Sequence, residues 1–246
     1  MRLLVPCIAA TFGTVLTVDG RRLGETPTTI AADPNEETSC PPAGFATAQN
    51  VDLEAYASNP WYVQEQAPTT YLPESRNYCV TASYKLLDEP TWPWGYSIEV
   101  TNKAQDLQKN TYGGTIYAAQ KDGPSKLEVA PGFLPRFLAG PYYILDYQEE
   151  GELGGYALII GGVPDYKSDN GRCRTNNKWI NSSGGLWIFT REVNPDSALI
   201  DMVRQKAENM GLDTTVLNVV DHSNCDYEFD DEPEQVAVSA KRIINV

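Results

Sequence analysis

Through the middle of the chain, apolar and polar residues alternate in short runs separated by turn residues, the signature of strands with one buried face. In residues 79–87, Val80, Ala82, Tyr84 and Leu86 share one face, and Cys79, Thr81, Ser83 and Lys85 share the other. Residues 97–102 put Ile98 and Val100 on an apolar face that ends at Asn102, and Leu127 and Val129 alternate with Lys126 and Glu128. Residues 142–147 and 156–160 are apolar on both faces, as expected of strands covered from outside. A first strand follows Asn59-Pro60-Trp61-Tyr62, and a last one ends in Leu186-Trp187-Ile188-Phe189-Thr190-Arg191. Strands this short and this closely spaced predict an antiparallel sandwich or barrel.

The period changes once. Residues 195–210 carry Leu199, Met202, Val203, Ala207 and Met210 on one helical stripe. Asn194-Pro195-Asp196 supplies a cap, a first-turn proline and an acid for the positive end, and Gly211 ends the helix. Residues 212–219 then read as a short closing strand before Cys225.

The ends of the chain differ from this centre. Met1-Arg2 followed by an interrupted apolar run to Val18 has the form of a secretory signal peptide, so residues 1–19 are expected to be one. Residues 20–49, rich in Thr, Pro, Ala and acids, read as a flexible leader, and residues 226–246 as a solvated acidic tail. The packed domain is expected over residues 50–225. A net charge of −14 argues against nucleic acid as a partner, because phosphate would be repelled.

Loss of the signal segment removes Cys7 and leaves Cys40, Cys79, Cys173 and Cys225. No close Cys pair suggests a zinc site, and an even count in an oxidising compartment suggests two disulfides with three connectivities open. No metal or cofactor is expected. Asn181-Ser182-Ser183 is a glycosylation sequon, marking Asn181 as a candidate acceptor.

These residues resemble the lipocalin family, and within it the secreted apolipoprotein D-like branch. Asn59-Pro60-Trp61 stands where that family has Gly-x-Trp, Asp146-Tyr147 survives from Thr-Asp-Tyr with Leu145 in place of Thr, and Arg191 stands where an arginine closes the last strand. The resemblance covers roughly residues 40–225. It implies an all-β fold: an eight-stranded antiparallel up-and-down barrel, or calyx, with one C-terminal α-helix packed outside. It also implies a structural plug of Trp61 and Arg191 at the closed end, and disulfides Cys79–Cys225 and Cys40–Cys173.

With Cys79 turned outward to meet Cys225, strand parity sends Tyr84 and Leu86 inward, and parity from Arg191 does the same for Trp187 and Phe189. The candidate lining is Tyr84, Leu86, Ile98, Val100, Asn102, Ile116, Leu127, Val129, Trp187 and Phe189. These residues either fill a solid barrel or line a dry pocket with a few polar atoms; the resemblance favours the pocket. The function it implies is non-catalytic binding and transport of a small hydrophobic ligand such as a fatty acid, sterol, retinoid, carotenoid or tetrapyrrole. The alternatives are a lipocalin-fold enzyme acting on a lipid or carotenoid, or a secreted scaffold that binds proteins through its loops.

Catalytic groups are scarce, with His222 beside Asp221 the chain's one histidine, so the expectation is not an enzyme. The apolar loop Pro131-Gly132-Phe133-Leu134-Pro135-Arg136-Phe137-Leu138, placed at the open end in the lipocalin layout, is a candidate lid or a membrane or lipoprotein contact. Trp92-Pro93-Trp94 would fall at the closed end as packing. Localisation is expected to be extracellular, with the lumen of an endomembrane or plastid compartment as the alternative.

Overall fold

The computed structural model describes residues 39–176 and 184–227. The expected signal peptide, most of the expected leader, Asn181 and all but the first two residues of the acidic tail therefore lie outside the described residues.

The alternating runs become strands β1 (Trp61–Gln66), β2 (Tyr78–Leu86), β3 (Ile98–Gln105), β4 (Thr111–Gln120), β5 (Lys126–Ala130), β6 (Gly140–Gln148) and β7 (Tyr156–Ile160). A small hairpin follows, β8 (Tyr166–Lys167) with β9 (Cys173–Arg174), before β10 (Leu186–Thr190). Each of β1 to β7 pairs antiparallel with the next, β7 pairs with β10, and β10 pairs back with β1. That closure makes an eight-stranded antiparallel up-and-down barrel and leaves no free edge.

Two inserts were not expected from periodicity. Residues 53–57 form a short helix, α1 (Leu53–Ala57), capped by the Asp52 carboxylate, which accepts the amides of Glu54 and Ala55 at 2.9 and 3.2 Å. The anticipated closing strand is only a 3₁₀ turn, Thr214–Val216, and a two-residue strand β11 (Asn218–Val219). β11 pairs with β1 beyond the point where β1 and β2 part, and Asp221 continues the join to Asn77 and Cys79.

The long helix is α2 (Ser197–Asn209), shorter at its start than the sequence reading because Asp196 rather than Asn194 is the cap: its carboxylate accepts the Ala198 amide at 2.9 Å. Leu199, Val203 and Ala207 bury against the outward faces of β7 and β10, where Leu158, Ile160, Leu186 and Ile188 wait. This explains why β7 is apolar on both faces: one lines the barrel and the other lies under the helix. Two charged pairs fix the helix to the wall. Arg204 meets the buried Glu65 at 2.5 Å, and Lys206 meets Asp146 at 2.6 Å.

Disulfides Cys40–Cys173 and Cys79–Cys225 tie the N-terminal approach to the β8–β9 hairpin and the C-terminal segment to β2. They span 133 and 146 residues, so each removes on the order of 5 kcal/mol of unfolded-chain entropy.

Candidate functional site

The barrel interior is built from every second residue of its strands. Register sets Trp61 opposite Ala82, Asn102 opposite Ala82 on the other side, Tyr84 opposite Val100, Val100 opposite Ile116, and Ala118 opposite Val129. These residues, with Ile98, Leu127, Ile144, Ala157, Ile159, Trp187 and Phe189, belong to one inner face, and the apolar ones form a single cluster.

One end is sealed. The Arg191 guanidinium lies 3.5 Å from the centre of the Trp61 ring and grips Glu149 with two bonds, 2.9 Å from Nε and 2.7 Å from Nη2. It also donates to the carbonyls of Ala55, Tyr56, Asn59 and Pro60, so α1 and the entrance of β1 are held across the barrel floor. The indole donates its own N–H to the Tyr56 carbonyl at 2.9 Å. Trp61 is fully buried, and Tyr56, Tyr147 and Phe189 pack around it.

Above this floor the interior turns partly polar. Tyr142 on β6 shares hydrogen bonds with the hydroxyls of Tyr56 at 2.6 Å and Tyr84 at 2.7 Å. Burial pushes the Tyr56 and Tyr142 phenols well above their ordinary range and the Tyr84 phenol up to about 12, so all three stay neutral at physiological pH. Tyr142 bridges the other two hydroxyls, so the triad gathers three neutral groups that can both donate and accept.

Farther from the floor, Gln66 stands opposite Trp187 at the end of β1, and its amide nitrogen donates to the Asn77 side-chain oxygen at 2.6 Å. Both side chains are buried. The Gln66 Oε1 and Asn77 Nδ2 atoms have no partner among the described residues.

Of the side chains that the register turns inward, Asn102, Ile116, Val129 and Tyr142 keep some accessible surface. Gly114 faces Asn102 across the β3–β4 ladder, and a Cβ built on it would meet nothing within 4 Å. Near the far end, Gly185 has φ of +106°, and a Cβ there would strike the Trp187 ring at 2.2 Å, so this glycine lets the indole lie back along the chain. Over that end the loop between β1 and β2 folds inward, with Leu72 packed on the inner cluster and its amide tied to Thr69 Oγ1 at 3.1 Å.

Of the lining named from sequence, the inner cluster unites Tyr84, Ile98, Val100, Leu127, Trp187 and Phe189, with Ile116 and Val129 partly buried against it. Asn102 shares their face by register. Leu86 is the correction: at the end of β2, where the barrel wall runs out, it is 38% exposed and lies outside the cluster.

The loop of residues 131–139 joins β5 to β6 at the end of the barrel opposite the floor, as the β1–β2 loop does. It folds over the outer wall, with Gly132 against the Tyr117 ring, the Leu134 carbonyl accepting the Tyr96 hydroxyl at 2.9 Å, and Arg136 bonded to Glu128 at 2.6 Å and to the Gln120 carbonyl at 2.8 Å. Phe133 and Phe137 are exposed there. Trp94 joins that outer cluster as packing, whereas Trp92 stands out into solvent.

Sequence reasoning missed Tyr56, Tyr142, Gln66 and Asn77. Only Tyr142 carried a usable signal, since it alternates with Ile144. It also missed a hollow of about 390 Å³ outside the barrel, between Ile160, Leu186, Leu212 and Val216 on one side and Arg174 and Asp213 on the other.

His222 sits on the outer wall, 2.9 Å from the Val63 carbonyl through Nε2 and bonded to the Tyr227 hydroxyl through Nδ1. That geometry holds the C-terminal segment to β1. Among the described residues no three His, Cys, Asp or Glu side chains converge on a common point.

No family model and no curated protein matches the chain. Among solved structures it is similar to apocrustacyanin C2, at 15% identity over 72% of this chain and 82% of that one, with a TM-score of 0.49. It is similar to lobster apocrustacyanin A1 at 16% identity, over 69% of this chain and 78% of that one, with a TM-score of 0.46. The cockroach major allergen Per a 4 gives 18% identity, 76% and 98% coverage and a TM-score of 0.49.

Proposed function

We propose that this chain is a secreted lipocalin-type carrier that binds a small hydrophobic molecule inside the barrel and performs no chemistry on it. The observation that carries this reading is the accessible inner surface of Asn102, Ile116, Val129 and Tyr142, together with the open space at Gly114. A barrel selected only for stability would fill that space, because interior voids cost free energy. The apolar wall from Ile98, Val100, Leu127, Trp187 and Phe189 supplies the affinity, and the tyrosine hydroxyls supply orientation. Secretion is supported by the two long-range disulfides, which an oxidising compartment favours.

The test is native mass spectrometry of protein purified from its own source, followed by solvent extraction. A carrier arrives with a stoichiometric small molecule that organic solvent removes. Protein that carries nothing, and whose melting temperature no apolar compound raises, would instead be read as a scaffold. Exposed Trp92, Phe133 and Phe137 on the outer wall favour that second reading.

A further inference from the structure

The residues that the strand register turns into the barrel include no Lys, Arg, Asp or Glu. Their polar atoms include the hydroxyls of Tyr56, Tyr84 and Tyr142 near the floor, the Asn102 amide along the wall and the Gln66–Asn77 pair beside Trp187. The inward Tyr147 and Tyr112 hydroxyls are already given to Glu149 and Asp106, and Gln120 is exposed at the end of β4. At the floor, Arg191 spends its guanidinium on Glu149 and four carbonyls, so its charge is already matched. At the other end Arg76 is stacked 3.9 Å over the Tyr112 ring and bonded to the Tyr71 carbonyl, with the Asp106 carboxylate accepting the Tyr112 hydroxyl beside it. Gln66 and Asn77 together leave one carbonyl oxygen and one NH₂ unpartnered though buried, the complement of a group that both donates and accepts.

We propose, resting on the reading of the barrel as a ligand site, that its ligand is uncharged: a slender apolar molecule bearing a hydroxyl, carbonyl or amide, and no carboxylate. An ionised carboxylate drawn into this interior would lose its hydration and find only neutral partners, and such a group is held in a protein interior by a cation or not at all. A hydroxyl or amide finds neutral partners twice, in the hydroxyls of the tyrosine cluster and in the unpartnered amide atoms by Trp187. The ionised fatty acid is therefore excluded from the deep site, while its alcohol and its amide are admitted.

The test is isothermal titration calorimetry of the disulfide-intact protein at neutral pH with 1-decanol, decanamide and decanoate, three probes that share one chain length. The expected result is saturable binding of the alcohol and the amide, with decanoate weaker by about tenfold or more. Tyr142→Phe keeps the ring and removes the central hydroxyl, and should shrink that preference severalfold. Decanoate binding as tightly as the alcohol overturns the proposal and leaves the carrier reading intact. That outcome would place the head group outward at Arg76, which Arg76→Gln would report as a loss of decanoate affinity alone. Failure of all three probes to bind would instead overturn the carrier reading itself. A preference unchanged in Tyr142→Phe would remove the tyrosines from the account.

Discussion

Arg191 and Trp61 form a stacked pair, 3.5 Å from guanidinium carbon to ring centre, although 130 positions separate them in the chain. The stack joins the last barrel strand to the first at the floor, and the same guanidinium binds Glu149 and the carbonyls around α1. Arg191→Lys keeps the charge but loses the planar fork and the stack, leaving Glu149 and several carbonyls with poorer partners. The expected cost is about 2–4 kcal/mol, a fall of roughly 5–15 °C in melting temperature for a domain this size. Thermal unfolding followed by near-ultraviolet circular dichroism checks it. A variant as stable as the parent would show that the plug is ornamental.

Tyr84 and Tyr142 tie stability to alkaline pH. Burial raises both phenols above their unfolded value near 10, Tyr84 to about 12. Their contribution is complete below pH ~10 and is lost as pH rises through the folded values, because the unfolded chain then releases protons that the folded one keeps. Each buried phenol adds a slope of about 1.4 kcal/mol per pH unit in that window. Tyr84→Phe should flatten the loss of stability between pH 10 and 12, as read by denaturant unfolding at each pH. An equally steep loss in the variant would contradict the assignment.

His222 produces the opposite dependence on the acid side. Burial lowers its folded pKa from the usual value near 6.5, while the bond to the Val63 carbonyl acts against that shift. A depressed histidine contributes stability above pH ~6.5 and loses it as pH falls toward the folded value, since only the unfolded chain protonates there. His222→Gln should remove this part of the slope as pH falls below ~6.5. Hydrogen exchange of the β1 and β11 amides against pH reads the same event locally.

Cys225→Ser opens the 146-residue loop and frees the segment that extends the β1–β2 join. The expected loss is on the order of 3–5 kcal/mol, with early exchange at Asn77, Cys79 and Asp221, whose backbone bonds form that join. A loss confined to global stability, without local opening, would mean that the disulfide acts on the unfolded chain alone.

The barrel was legible in the sequence because alternation marks a half-buried strand independently of its partners: residues 78–86 and 98–105 emerge almost as read. The long helix was legible from its stripe and its cap. What stayed hidden depends on register or on tertiary contact. β6 changes parity at a bulge between Ile144 and Asp146, so alternation from Tyr142 and Ile144 gave no sign that Tyr147 points inward with them. Leu86 obeys the alternation and still escapes the interior, because parity does not say where a wall ends. Gln66 and Asn77 face each other only once β1 and β2 have parted around β11. At residues 131–139 the sequence carries no sign of the outer-wall packing, which depends on Tyr96 and Tyr117 from distant segments.

The central claim is that the inner face binds a guest, and a blocked lumen tests it most directly. Fluorescence titration of the parent with 1-decanol should give a saturable change that Trp187→Phe diminishes, since that indole lines the inner face. Ile116→Trp should fill the space left by the partly exposed isoleucine and abolish binding while the protein remains folded. Binding that persists undiminished in folded Ile116→Trp would place the ligand elsewhere and contradict the account.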